Sequence, residues 1–409
     1  MALYAFVALG LPDGLIGTAW PSVRHSFAAP LAELGIVLVV GTAGSVATSA
    51  VAGLVLRRFG LARSVILAGT IGVLGAVGIV VSSGLWAFVA GGCVLGMAAG
   101  FLDSSLNAAI ALAGRNRLLN LLHGCYGIGT TIGPLVVTAA VLAGDWRPAY
   151  VVLAVAETLV VVGWLAVRRR PGRPIPAAEA APLSEVPPLP EAAPLPEVPP
   201  LPEVPPLPEA AVAVKAEDRG PARWATVGTV SLGLAVFAVY TGLEVSAGQW
   251  EPSFDRGVLH MSTGLTGLAT FGYWGALTAA RFALAVPKRP LAPALIVRWG
   301  CLAALGGTGL VWWRPDGTIV LAGLVVVGAS LAGVFPALVT LTPARVGGKL
   351  AHHVIGWQIG AAGVGGSLIS AAMGGIFQRW GLVNFGPSLV VVAVALVIGA
   401  TALEGRKRA

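Results

Sequence analysis

Asp103 and Asn107 are polar residues four positions apart in a run, residues 86–111, that is otherwise almost wholly apolar. Residues four apart lie on one face of an α-helix, so their side chains would be neighbours. A carboxyl group at the centre of a bilayer costs about 2.5–3.5 kcal/mol, and such groups usually face an ion or substrate pathway. Burial disfavours the ionised form of a carboxyl group, which suits it to bind and release a proton.

Three other carboxyl groups lie in apolar runs, on Asp13, Glu157 and Glu244. If the first run is helical, Asp13 lies about 17 Å from the chain start and so near the middle of a bilayer. We expect Asp13 and Asp103 to take part in proton coupling. Glu157 is expected to pack between helices or to extend towards the lipid surface. No lysine or arginine is expected at the centre of a run, so these groups are expected to lack a structural cation.

A second polar face is expected on the following run, where Asn120, His123 and Tyr126 are spaced by three residues. Their side chains could face Asp103 and Asn107 across a cavity. Aromatic faces beside amide groups suit a sugar, whose hydroxyls take directed hydrogen bonds. The second part of the chain would contribute Glu244, Gln249, Trp250, Trp274 and Gln358 to this cavity. Two alternatives stay open: the polar groups could merely join helix to helix, and Trp250 could be a packing residue.

The elements that would position these residues are membrane-spanning helices. The 409 residues are 56% hydrophobic and 11% charged, with a mean hydropathy of +0.85, whereas soluble proteins carry about 25% charged residues. A helix satisfies its own backbone in lipid and needs about 20 apolar residues to cross. Twelve such runs occur, at 2–22, 34–56, 64–83, 86–111, 118–143, 147–167, 224–248, 262–284, 293–312, 317–341, 351–375 and 385–403. The sequence therefore predicts an all-α membrane protein with twelve transmembrane helices in a lipid bilayer.

The basic residues predict the orientation of these helices. With both termini cytoplasmic, 21 of the 26 lysines and arginines, Arg281 among them, lie on the cytoplasmic side. The exceptions are Arg24, Arg147, Arg256, Arg314 and Arg379. This positive-inside pattern predicts a multi-pass protein of the inner cell membrane. Topology accounts for the net charge of +8, so no nucleic-acid partner is expected.

The sequence does not predict an enzyme. Cys93, Cys125 and Cys301 lie in apolar runs without a CxxC pair, so neither a disulfide nor a metal site is expected. The glycine-rich stretches GIGTTIG and GVGGS lack the spacing and the lysine of a phosphate-binding loop. We therefore expect no cofactor and no ATP-driven transport.

A proline-rich segment divides the chain into two parts. Between residues 168 and 223 the membrane pattern stops, and glutamates recur every six residues among prolines in LSEVPPLPEAAPLPEVPPLPEVPPLPEAA. Such a segment is extended and cannot form a packed core, so it is predicted to be a cytoplasmic linker. Six runs lie on each side, in halves 1–167 and 224–409. GLPDGLIGTAWPS and GLEVSAGQWEPS echo each other across the halves, each with a carboxylate six or seven residues before a tryptophan. Repeated halves are typical of secondary transporters.

The chain resembles the major facilitator superfamily, and more narrowly its fucose permease branch, the fucose–galactose–glucose:proton symporters. The stretches that carry the resemblance are LDSSLNA, RLLNLLHGCYGIGTTIGP, YTGLEVSAGQW and YWGALTAARF. The resemblance implies two six-helix halves, a carrier that works as a monomer, and carboxylates in spans one and four that act in coupling and substrate binding. Asp13 and Asp103 occupy those motif positions, although Asp103 replaces a longer glutamate. One departure is GLVLRRFGLAR between spans two and three, where Arg57 stands in place of the usual aspartate.

The predicted function is transport by alternating access, with a proton gradient driving uptake of a small polar solute such as a monosaccharide. The main alternative is proton-antiport efflux of drugs or other amphiphilic compounds. GTTIGP matches the end of the superfamily's antiporter motif, but Asn120 and Val137 stand where that motif has glycines. A polar cavity would favour a sugar, and a hydrophobic cavity would favour efflux. A membrane receptor or scaffold is a third possibility, against which the buried carboxylates argue.

Overall fold

The computed structural model describes residues 1–112, 116–169, 223–285, 291–314 and 316–406. Nearly all of the predicted linker, residues 170–222, lies outside these ranges. The described residues form twelve α-helices and one short 3₁₀ turn, Leu382–Asn384. The helices are α1 (Ala2–Ser26), α2 (Glu33–Val80), α3 (Leu85–Leu112), α4 (Asn116–Leu142), α5 (Arg147–Arg169), α6 (Arg223–Gly257), α7 (Thr263–Ala285), α8 (Pro293–Trp313), α9 (Gly317–Leu331), α10 (Val334–Val346), α11 (Gly348–Trp380) and α12 (Phe385–Gly405).

Helices and membrane crossings do not correspond one to one. α2, 48 residues in all, consists of two helical segments joined at Gly60, whose φ of 77° and ψ of 167° are not helical. It therefore supplies the predicted second and third spans. Conversely, α9 and α10 form one apolar span, Gly317–Val346, interrupted at Gly333. Ten stretches of the described residues are apolar enough to cross a bilayer, and counting α2 twice and adding α7 gives the predicted twelve transmembrane helices.

Small residues let neighbouring helices pack closely, as is usual in a bilayer. α2 and α3 meet at Gly100, where an added Cβ would lie 2.7 Å from Cα of Ser45. α1 and α4 meet at Gly14 and Gly133, with the Cα of Gly14 2.8 Å from the place where Gly133 would carry a Cβ. These contacts fix the relative positions of the helices that carry Asp13, Asp103 and His123.

The N-terminal helices α1–α5 meet the C-terminal helices α6–α12 tightly at one end of the molecule, which we call the sealed end. The side-chain oxygen Oε1 of Gln378 in α11 accepts a 2.7 Å hydrogen bond from the backbone N–H of Leu31. One turn along, Gly35 of α2 lies against Ala371, and a Cβ on Gly35 would lie 2.5 Å from Cα of Ala371. α1 and α6 also cross near this end, because Gly17 lies against the backbone of Gln249.

At the opposite end, which we call the open end, α2 and α11 separate. The side chain of Thr42 is 3.9 Å from a Cβ built on Gly363, and nothing lies within 4 Å of one built on Gly53 or Gly356. The gap leads towards the middle of α1, where Asp13 is exposed to solvent although helices α4 and α6 lie on either side of it. The fold therefore contains a central cavity that is closed at one end and accessible from the other.

Candidate functional site

Asp13 lies at the bottom of this cavity. Proline and glycine flank it in α1, and its carboxylate accepts a hydrogen bond from the hydroxyl of Tyr126 in α4. Its backbone carbonyl accepts a 2.8 Å bond from the side-chain amide of Gln249 in α6. The same residue thus connects the two halves of the molecule through its backbone while its carboxylate faces solvent. A proton can reach such a carboxylate without crossing packed protein.

Glu244 and Arg281 form an ion pair across the cavity wall, with 3.3 Å between Arg281 Nη2 and Glu244 Oε1. The hydroxyl of Tyr240, one turn earlier in α6, donates to the second carboxylate oxygen of Glu244. The hydroxyl of Tyr273 in α7 donates a 2.7 Å bond to the backbone carbonyl of Glu244. The carboxylate therefore has a cation and a neutral donor, which together offset part of its desolvation cost.

This ion pair corrects the expectation that no cation lies near the buried carboxylates. The charge pattern assigns Arg281 to the cytoplasmic side, and in the structure it lies inside α7, four residues before the end of that helix. A long arginine side chain can reach several ångströms back along its helix, and here it extends to Glu244.

Asp103 and Asn107 form a third polar group, on α3. The amide nitrogen of Asn107 donates a 2.9 Å hydrogen bond to Asp103 Oδ1, as their four-residue spacing predicts. His123 of α4 is exposed, interacts electrostatically with Asp103, and packs edge to face against Phe6 with ring centroids 5.7 Å apart. The imidazole is thus held beside a carboxylate and open to solvent, an arrangement in which protons can be exchanged.

These groups belong to one electrostatic cluster. Tyr126 interacts with Asp13, Glu244 and Arg281, and His123 interacts with both Asp103 and Arg281. Arg281 therefore lies where the acidic groups of both halves converge. Interactions between charges are strong where water is scarce. A change of protonation at one acidic group therefore changes how strongly the other acidic groups attract Arg281.

Four predicted cavity residues are buried: Gln249, 2% exposed, lies between α1 and α6, and the other three lie elsewhere. Trp250 has no exposed surface, and its indole N–H donates to the backbone and hydroxyl oxygens of Ser370 in α11. Trp274, 5% exposed, packs against Tyr273. Gln358, 3% exposed, accepts a 3.0 Å bond from Thr342 of α10. In this conformation all three are packed among α6–α12, and their assignment to the cavity stays a prediction.

The paired sequence motifs explain the position of Trp250. Trp20, its counterpart in α1, also has no exposed surface and donates its indole N–H to the carbonyl of Leu31. Both tryptophans therefore bond to a backbone carbonyl within their own half, which is the packing alternative left open for Trp250. The side chain of Asn120 lies outside the part of the chain that the structure describes.

Glu157 lies apart from the cavity, between α5 and α2. Its side chain is 5% exposed and fits a slot left by Gly72, where an added Cβ would lie 2.8 Å from its carboxyl carbon. The expectation of a packing role agrees with this position, and no extension to the lipid surface is seen.

Arg281 and Tyr240, the two side chains that bind the carboxylate of Glu244, are residues that sequence reasoning missed. Both carried a usable signal. Tyr240 precedes Glu244 by four residues and so shares its helix face, and Arg281 lies inside the predicted run 262–284 rather than beyond it. A charged residue within a predicted span is itself a sign of a functional site.

No cluster of three histidine, cysteine, aspartate or glutamate side chains suited to a metal ion occurs among the described residues. Cys93, Cys125 and Cys301 are free thiols, the last two buried.

Comparisons with known proteins agree with this architecture. The family model described as Major Facilitator Superfamily matches residues 2–371. No protein of curated function matches the sequence.

Several solved structures share the fold at low sequence identity. The inward-open xylose transporter XylE from E. coli has 13% identity and a TM-score of 0.68, covering 96% of this chain and 93% of that one. A mutant form of the nucleoside transporter NupG has 13% identity and a TM-score of 0.65, covering 100% and 98%. A bacterial homologue of the human lysosomal transporter Spinster, inward-facing and occupied, has 14% identity and a TM-score of 0.64, covering 99% and 95%.

Proposed function

The chain belongs to the Major Facilitator Superfamily, and from this membership and the cavity we propose that it imports a small polar solute, such as a monosaccharide, together with protons. The observation that carries the proposal is the charged cluster contributed by both halves around the solvent-exposed carboxylate of Asp13. A carrier of this kind binds its solute between two halves that rock about it. As a superfamily member, the protein is a multi-pass integral membrane protein.

The polarity of the cavity supports a polar solute rather than an amphiphilic drug. Its described wall carries Asp13, Asn107, His123, Tyr126 and Arg281, which offer donors and acceptors on both sides of the space. Hydroxyl groups of a sugar pair well with such groups, whereas an apolar drug would leave them without partners. Two structurally similar proteins are described as xylose and nucleoside transporters, which also favours a sugar-containing solute. The narrower likeness to the fucose permease branch stays a prediction.

The proposed orientation places the open end in the cytoplasm of a cell with the protein in its inner membrane. The lysine and arginine count supports this orientation, because both termini lie at the open end. The similarity to an inward-open xylose transporter supports it too. The two halves would be residues 1–167 and 224–409, joined by the cytoplasmic linker 168–223, in a protein that acts as a monomer.

In the proposed cycle, protonation of Asp13 or Asp103 from the outside-facing cavity accompanies solute binding. Neutralising Asp13 removes one of the acidic groups that compete for Arg281 through Tyr126, so the Glu244–Arg281 pair within the C-terminal half tightens. Deprotonation towards the cytoplasm then weakens solute binding and releases both. Tyr126 serves as the connection, because it bonds to Asp13 and interacts with Arg281.

The test is the internal pH of proteoliposomes while D-xylose, L-fucose, D-glucose, D-galactose or uridine is added outside. Solute-dependent acidification is expected for the native protein, and it should be lost in Asp13→Asn and in Asp103→Asn. Glu157→Gln, which removes a buried carboxyl outside the cavity, is the matched control and should retain acidification. If none of these solutes acidifies the interior but a cationic dye drives proton release, the protein is an antiporter and the proposal is wrong.

A further inference from the structure

Two carboxyl groups of α6 lie outside the cavity and have no partner. Glu251 and Asp255 are each 0% exposed. All four carboxyl oxygens lack a hydrogen-bond partner among the described residues. Leaving one buried ionised carboxylate uncompensated is already strongly unfavourable, and two that repel each other electrostatically are more so. The negative charge of the pair must therefore be neutralised, either by protons on the carboxyl groups or by a metal ion between them.

The facing helix α7 also carries a buried polar group without a hydrogen-bond partner among the described residues. Trp274 of α7 is 5% exposed, and its indole N–H has no partner. Its ring lies against α6 at Gly248, where an added Cβ would be 2.7 Å from Cε2, the carbon bonded to that nitrogen. Gly248 precedes Glu251 by three residues and so shares its helix face. The ring of Trp274 thus lies against the helix face that carries Glu251, about one turn away from it.

The pair shares a helix face with the cavity site. Glu244, Glu251 and Asp255 are separated by seven and four residues, which places them in one row along α6, with axial distances of about 10 Å and 6 Å. Tyr273 lies between the first two: its hydroxyl bonds to the carbonyl of Glu244, and it interacts electrostatically with both Glu244 and Glu251. The row therefore connects the ion pair in the cavity with the sealed end.

No fixed positive charge compensates the pair among the described residues. Arg256, its neighbour in the sequence, is exposed and bonds to Thr263. On α7 the facing titratable groups are Tyr273 and, towards the open end, Arg281, which is paired with Glu244. On the other helices packed against α6, the described charged groups lie near helix ends: Asp316 is exposed and caps α9, and Arg24, Arg345, Arg379, Glu404 and Arg406 lie towards the ends of their helices. Asp13 of α1 faces the cavity.

We propose that Glu251 and Asp255 form a second proton-binding site, separate from the cavity, that holds its protons while this end of the molecule is sealed. A proton on the pair removes a negative charge from the acidic row on α6 and so reduces the electrostatic repulsion along that row. Its role in transport rests on the proposed proton coupling, but its existence does not.

A metal ion is the competing occupant, and the side chains favour the proton. Calcium and magnesium take six or more oxygen ligands, whereas no group of three acidic, histidine or cysteine side chains suited to a metal occurs among the described residues. A proton needs only one carboxyl oxygen, and these two groups offer four without a partner in the described part of the chain.

The test is the infrared spectrum of the full-length protein reconstituted in lipid, recorded without solute from acidic to alkaline pH. Protonated carboxyl groups and carboxylates absorb at different frequencies. In the native protein, protonated carboxyl absorption should persist at neutral pH. The double variant Glu251→Gln with Asp255→Asn should lose intensity equal to at least one carboxyl group. Glu157→Gln and Asp13→Asn are controls, each removing a carboxyl from elsewhere, and the alkaline titration of the pair should persist in both.

An unchanged protonated band in the double variant would overturn the proposal, since the pair would then be ionised. So would carboxylate bands that respond to sodium replacing choline and vanish in the double variant, because the occupant would then be a metal ion. Ser253→Ala, on the same turn, and the elution volume of each variant separate a local effect from misfolding. Because no solute or gradient is present, the result is independent of the solute-driven acidification that tests the proposed function.

Discussion

The two ends of the α2–α11 seam differ in the distance between the two helices. At the sealed end Gly35 lies against Ala371, and at the open end nothing lies within 4 Å of a Cβ built on Gly53 or Gly356. Both ends contain glycine, so the presence of small residues alone does not decide which of them is closed. The closed end instead has specific contacts between the halves, notably Gln378 to the backbone of Leu31. A seam built of small residues can close at either end, and a few polar contacts select the end.

The largest effect on this comparison is expected from Gly17→Ala. A Cβ at this position would lie 2.8 Å from both Cα and the carbonyl oxygen of Gln249. Backbone atoms cannot rotate away, so α1 and α6 must separate and the sealed end must loosen. We expect the ratio of sealed to unsealed molecules to fall at least about tenfold, or ~1.4 kcal/mol. Spin labels on His25→Cys and Val383→Cys, both at exposed positions of the sealed end, would report the distance.

Gly100→Ala is the matched control for this change. Its Cβ would be as crowded, 2.7 Å from Cα of Ser45, but α2 and α3 belong to the same half. We expect a lower unfolding temperature with the spin-label distance at the sealed end unchanged. If both alanine variants shift that distance equally, the effect of Gly17→Ala comes from general destabilisation. The contact between α1 and α6 would then not be what keeps the sealed end closed.

A smaller effect is expected from Gln378→Ala. This change removes the side-chain oxygen that accepts from Leu31, a contact between the halves worth about 1 kcal/mol. The sealed population should fall several-fold, less than with Gly17→Ala, because backbone contacts such as Gly35 to Ala371 remain. The measurement is the same label distance.

Asn384→Ala serves as the control for Gln378→Ala. Asn384 lies at the same end, but its amide donates to the carbonyl of Trp380 and so stays within the C-terminal half. Removing this hydrogen bond should lower the unfolding temperature and leave the spin-label distance at the sealed end unchanged. Equal shifts in the two variants would show that the polar contact between the halves has no special role.

The sequence predicts the fold well because each crossing needs a long apolar run, and such runs are directly visible. The twelve predicted spans are confirmed, but hydropathy does not show where a helix is interrupted. Gly60 interrupts α2 between the second and third spans, and Gly333 divides the tenth span. Asp103 and Asn107 were predictable as neighbours from spacing alone.

Partners from different helices were harder to predict, as the ion pair and the tryptophans show. Glu244 and Arg281 are 37 residues apart, and only packing brings them together. Trp250 looked like a sugar platform, yet its environment depends on Ser370 of α11. A side chain's type and spacing define the face it occupies, but whether that face meets solvent or another helix depends on the whole bundle.

The smallest effect is expected at the open end, from Gly356→Ala. Nothing lies within 4 Å of the added Cβ, and alanine is about 1 kcal/mol better than glycine within a helix. The unfolding temperature should therefore rise slightly, and the label distance at the sealed end should stay the same. Transport should slow by a few-fold, because closing this end must bring α11 towards α2 and the methyl group then opposes their contact. Unfolding temperature, label distance and solute uptake in one set of samples would check all three outcomes. Unchanged uptake would mean that α2 and α11 do not close at Gly356, and that the two ends of the seam close by different surfaces.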